Sequence, residues 1–134
     1  MIDVESEIFT AIRADVVKQF DGLYITGEYV PSPPIFPCVS VVEIDNVPLQ
    51  RTQTTDSVEN YAVLVYEINV YSNKKTGKKA ECKTIAKVID DSFAKLGFTR
   101  MMLNPIQNLE DATIYRMVGR YRAIMDKNKT TYRR

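Results

Sequence analysis

Apolar residues recur every four positions at the start of the chain, at Val4, Ile8, Ile12, Val16 and Phe20, with Phe9 and Ala11 beside them and Glu5, Glu7, Arg13 and Lys18 on the other faces. This period predicts an amphipathic helix over residues 3–20. Asp3 and Glu5 fall in its first turn, where negative charge meets the positive end of the helix dipole, and Gly22 follows as a stop signal. Leu23 to Tyr29 has the make-up of a short strand. Pro31, Pro33, Pro34 and Pro37 then fix the backbone and remove amide donors, so an extended connection is expected.

The period then changes to two. Residues 38–44, CVSVVEI, are dense in β-branched side chains and predict a strand, whereas Asp45 to Asn60 is polar with few core anchors and predicts a long exposed hairpin loop. In YAVLVYEINVY, residues 61–71, one face is Ala62, Leu64, Tyr66, Ile68 and Val70, all apolar or aromatic. The other face, Tyr61, Val63, Val65, Glu67, Asn69 and Tyr71, starts apolar and becomes mixed. That pattern suits a long central strand whose second face is covered at one end only, or by another subunit.

After the basic turn SNKKTGKK, Cys82, Ile85, Ile89, Phe93 and Leu96 mark a second helix over 78–96, with Gly97 placed for a left-handed cap. Phe98 to Asn108 predicts a strand interrupted by Pro105, and Ala112 to Met125 a last long strand. The expected fold is therefore α+β: a mostly antiparallel sheet of four to five strands with two main helices packed on one face. The length fits one domain spanning 1–134, with loop 45–60 and the basic tail 126–134 mobile. The tail, which has little hydrophobicity beyond Tyr132, is read as disordered in the isolated subunit or as an extension that orders against a neighbour.

Composition narrows the function classes. Hydrophobic residues make up 45% and charged residues 26%, which excludes the signature of a disordered chain. No apolar run is long enough to span a bilayer and MIDVESEIF does not read as a signal peptide, so a cytoplasmic site of synthesis and no membrane partner are expected. Cys38 and Cys82 sit in apolar settings and are read as buried free thiols.

The formal net charge of +1 hides an asymmetry: residues 1–70 carry 3 Lys/Arg against 11 Asp/Glu, and residues 71–134 carry 15 against 6. Either an acidic half folds against a basic half, or complementary patches on opposite edges favour head-to-tail association.

There is no histidine, which removes Ser-His-Asp and Cys-His nucleophile pairs and every histidine-based metal site. Neither GxxxxGK[ST] nor GxGxxG is present. Glu43, Asp45, Glu67, Glu81 and Lys83 remain as a carboxylate and lysine set of the type that holds Mg²⁺ in a nuclease, although their spacing matches no strong pattern and such acids are normally solvated. No catalytic residue, metal or cofactor is assigned.

The last strand is more informative. Arg116, Arg120 and Arg122 share a face with Ile114, Val118 and Ile124, opposite Tyr115, Met117, Gly119, Tyr121, Ala123 and Met125. Arginine among aliphatics is a solvated surface, a nucleic-acid patch or an interface anchor pairing with a carboxylate. The aromatics that base stacking needs lie on the opposite face, which weakens the nucleic-acid option. Glu67, Tyr71, Arg116, Arg120 and Arg122 are taken as the candidate subunit or partner interface.

The run VYEINVYS, the helix KAECKTIAKVIDDSFAKLGF and the closing strand ATIYRMVGRYRAIMD, preceded by an N-terminal helix, resemble in pattern and order the tail-terminator and tail-completion proteins of long-tailed bacteriophages. The likeness covers most of the chain but not segments 31–37 and 45–60. It implies a structural protein of the virion tail, assembled in the host cytoplasm as a homo-oligomeric, hexameric ring. Such a ring caps the tail tube, ends its polymerisation and forms part of the head-tail joining interface, and DNA passes through it without sequence-specific binding. The implied partners are the tail-tube protein and a head-completion or neck protein. A neck role, a small nucleic-acid-binding domain using the three arginines, and a metal-dependent nuclease are the competing expectations.

Overall fold

The computed structural model describes residues 1–30, 33–48, 61–106 and 113–132. The elements run α1 (Glu5–Gln19), β1 (Tyr24–Thr26), β2 (Cys38–Pro48), β3 (Tyr61–Ser72), α2 (Lys78–Lys95), β4 (Thr99–Pro105), β5 (Tyr115–Asp126) and β6 (Thr131–Tyr132). This is the α+β architecture read from the sequence. The sheet order is β1-β2-β3-β5-β4, with β6 added to β5. Among the described residues only β1 on β2 is parallel; the other pairings are antiparallel.

The helices form where the four-residue spacing lies. Ile8, Ile12 and Val16 of α1 and Cys82, Ile85, Ile89 and Phe93 of α2 are buried in one core with Val39 and Val41 of β2 and Leu64, Tyr66, Ile68 and Val70 of β3. Both helices thus cover the same face of the sheet. The centre of that core is aromatic: the Phe93 and Tyr121 rings stack at 4.4 Å and 6°. Phe98 stands edge-on to Tyr66 at 5.5 Å and to Phe93 at 5.2 Å. Each buried tyrosine keeps its hydroxyl paired, Tyr121 donating to Asp90 Oδ1 at 2.9 Å and Tyr66 to Glu43 Oε1 at 3.2 Å.

Gly97 ends α2 at φ +88°. Its N–H donates to the Ala94 carbonyl and that of Phe98 to the Phe93 carbonyl, a Schellman arrangement that satisfies two terminal carbonyls. Glycine is required a second time there, because a Cβ would lie 2.6 Å from Thr131 Cγ2. Thr131 Oγ1 in turn donates to the Leu96 carbonyl at 3.0 Å, so β6 and the helix end lock together.

Two expectations are corrected. Asp45–Pro48, expected in the hairpin loop, extend β2 and pair with Val65–Ala62 beyond a bulge between Glu43 and Asp45. The long apolar edge of β3 supplies the partner that their own low strand propensity does not. The rest of that loop expectation, residues 49–60, lies outside the described residues. The tail, expected without structure of its own, turns back instead. Asp126 Oδ1 accepts from the N–H groups of Asn128 and Thr130 at 2.9 and 2.8 Å, and the turn delivers Thr131 to Met125 and Tyr132 to Ile124. Residues 133–134 lie outside the described residues.

The charge split is resolved partly within the subunit. Asp15 with Lys95 at 2.9 Å, Glu67 with Arg120 at 2.9 Å and Glu7 with Lys129 at 2.7 Å each join an acid of the first half to a base of the second. No helix among the described residues is long and apolar enough to cross a membrane.

Candidate functional site: the helix-free face of the sheet

Alternation along β3 and β5 turns one set of side chains away from the helices. Register places Glu67 opposite Arg120, Asn69 opposite Val118, Tyr71 opposite Arg116 and Val65 opposite Arg122. All five residues read from the sequence as an interface therefore occupy one face, the one without helices.

Among the described residues, that face is covered at one end only. Tyr71 is 2% exposed, Asn69 1%, and Cys38 and Ser40 0%. The chain around Val30 lies over this end, since Tyr71 Oη donates to the Val30 carbonyl at 3.3 Å, and burial raises the Tyr71 hydroxyl above its ordinary range. Towards the other end Arg120 and Arg122 are exposed and Val63 and Ile124 are half-buried.

The three arginines differ. Arg116 Nε donates to Asn69 Oδ1 at 2.8 Å and its guanidinium lies 5.8 Å from the Tyr71 ring centre, a position that completes the covered end. Arg120 pairs with Glu67 across the strands, and Glu67 also accepts from Asn69 Nδ2 at 3.3 Å. Arg122 has no charged partner among the described residues. Asn69, which joins the two arginine pairs, was not singled out from the sequence, although its place between Glu67 and Tyr71 on the same alternating face is the signal that marks it.

The carboxylate and lysine set does not come together. Glu43 meets Tyr66 on the helix side of the sheet, and Glu67 lies on the opposite face. Glu81 sits in the first turn of α2 with Ser72 Oγ at 2.6 Å and Lys74 Nζ at 3.1 Å, and Asp45 and Lys83 are exposed. No three His, Cys, Asp or Glu among the described residues are grouped to hold a metal ion. Cys38 and Cys82 are free and buried, as read from the sequence; burial pushes their thiols up to about 11 and about 12.

Glu43 carries a pH consequence. Burial raises its carboxyl above the ordinary glutamate range, with Asp3 and Glu5 adding to the shift. A carboxyl raised in the folded state leaves stability intact below the unfolded value and removes it as pH rises through the folded one. Glu43→Gln, which keeps an acceptor for Tyr66, is expected to raise the thermal midpoint at pH 7, and that gain should vanish as the pH falls below 4.5. Thermal melts of both proteins across pH 4–8 check it; a gain independent of pH would show that charge is not its cause.

No protein-family model and no curated protein matches the sequence. Among solved structures, a chain of the virion of a native gene transfer agent particle has the same fold. It matches with a TM-score of 0.62 and 19% identity, over 90% of this chain and 92% of that one. At that identity the likeness is one of fold.

Proposed function

We propose that this chain is a structural protein of a phage-type virion, working as one domain that assembles into a closed ring, of six copies, on the end of the tail tube. In this role it stops tube polymerisation and forms part of the joint with the head. DNA passes through the ring without sequence-specific contact, and no step of the role is catalytic.

The observation that carries this reading is the helix-free face. A strand face with buried valines and an ion pair, Glu67 with Arg120, opens at one end onto an exposed Arg122 that has no charged partner among the described residues, an arrangement suited to docking against another protein. Support comes from the virion protein that shares the fold along nearly the whole of both chains. The tail-tube protein and a head-completion or neck protein are the partners in this role.

Purified protein mixed with isolated tail tubes and free tube subunits tests the role directly. The expected result is six-membered rings in native mass spectrometry and, in electron micrographs, tubes bearing a ring at one end that no longer lengthen. Protein that stays monomeric at high concentration and leaves tubes growing overturns the proposal. Binding to the head-side vertex and not to tubes would move the assignment to a neck protein.

A further inference from the structure

The two edges of the sheet are unlike and complementary. β1 pairs with β2 only over Cys38–Ser40, so from Val42 to Pro48 β2 has a strand partner only on its β3 side among the described residues. At the far edge β4 pairs with β5 and with no other described strand. Such edges present unpaired backbone donors and acceptors, and proteins that must stay apart guard them with charges, prolines or bulges.

Here both edges are bulged, yet the guard is apolar. Ile44 occupies the bulge between Glu43 and Asp45 of β2, and Met101 the bulge between Arg100 and Met102 of β4. These residues are 44% and 54% exposed, and Val47, further along β2, is 47% exposed. A bulge that serves only to repel a neighbour has no use for a large solvent-facing aliphatic side chain.

Charge and direction then select the pairing. Beside the β2 edge stand Glu43 and Asp45, with Asp3, Glu5 and Glu28 lining the adjoining cleft. Beside the β4 edge stand Arg100 and Arg122, the latter opposite Thr99. Because the β2–β3, β3–β5 and β5–β4 pairings are all antiparallel, β2 and β4 run in opposite directions. A second copy laid with its β2 along this β4 continues the alternation and keeps the helices on the same side. Pairing two like edges is also antiparallel, but it sets acid against acid or base against base.

We infer that copies of this chain join head to tail by β2–β4 edge pairing, each subunit extending its neighbour's sheet. The inference rests on the assembly reading above and specifies the contact that closes the ring.

Cysteine cross-linking tests it, because the protein's own two thiols are buried. Ile44→Cys and Met101→Cys are made singly and together, at exposed positions, with circular dichroism as the folding control. Mixing the two single variants under mild oxidation is expected to give disulfide-linked dimers. The double variant is expected to give a ladder, and neither single variant should cross-link with itself. A third variant, Met101→Glu, sets a new acid against the acidic edge and is expected to raise the concentration needed for assembly about tenfold or more while the fold is kept. Self-cross-linking of either single variant overturns the head-to-tail pairing. Oligomers in native mass spectrometry without any cross-link overturn the edge contact and leave the tail-capping role standing. Wild-type protein that never oligomerises overturns both.

Discussion

Phe93→Ala is expected to destabilise the protein by about 3–5 kcal/mol, the range for deleting a fully buried phenylalanine. The ring is 0% exposed and touches three other aromatics: it stacks on Tyr121, meets Phe98 edge-on and lies 6.0 Å from Tyr66. Its removal leaves a hole where α2 meets β3 and β5, and the flanking tyrosines cannot move in freely because Asp90 and Glu43 hold their hydroxyls. Against a net stability of about 5–15 kcal/mol for a typical protein of this kind, the loss consumes a large part of the margin. Urea unfolding followed by circular dichroism measures it. A change below about 1 kcal/mol would show that the cluster repacks and is not the keystone of the core.

Reversal of Arg120 and Arg122 to glutamate should abolish capping of tail tubes while the domain stays folded. Exposed ion pairs contribute about 0–1 kcal/mol each, so losing the Glu67–Arg120 pair alone should leave stability nearly unchanged. A docking partner, in contrast, would meet two new negative charges beside Glu67. Arg116 is left in place deliberately, because it donates to the buried Asn69 and its removal would orphan that amide at a cost of about 1–3 kcal/mol. The exchange Glu67→Lys with Arg120→Glu separates the two roles, since it restores the cross-strand pair but alters the pattern a partner meets. Tube-length distributions in electron micrographs, with thermal melts as control, report both. If the reversed protein caps tubes as well as wild type, that end of the face is a solvated surface and nothing more.

Much of this architecture was legible because two periods dominate the chain. Ile8, Ile12 and Val16 on one helix, and the strict alternation of Met117, Tyr121 and Ala123 with Arg116, Arg120 and Arg122 on one strand, each leave a single way to bury the apolar set. The arginine face and its alignment with Glu67 and Tyr71 follow from that alternation once β3 and β5 are neighbours. What the pattern could not carry is structure imposed from elsewhere. Asp45–Pro48 join the sheet because β3 offers an edge, not because their own residues favour it. The two-residue strand β6 has no period to detect; it exists because the Asp126 carboxylate builds the turn before it and the Leu96 carbonyl receives Thr131. The charge asymmetry was visible but ambiguous, and the pairs Asp15–Lys95 and Glu7–Lys129 assign part of it to the interior economy of the subunit.

The position of β5 in the sheet bears on how the chain is made. This strand lies between β3 and β4 yet is the last long element in the sequence, so a growing chain emerges with its sheet still in two pieces. Until residues 115–126 leave the ribosome, the backbone donors and acceptors along one edge of β3 face an empty slot, and α2 has only part of the surface it packs against. Completion of the fold therefore waits for β5, and a nascent chain stalled short of that point exposes strand edges that invite aggregation. Once β5 is available it fills the slot, and β6 secures the end of α2 through Thr131 and the Leu96 carbonyl.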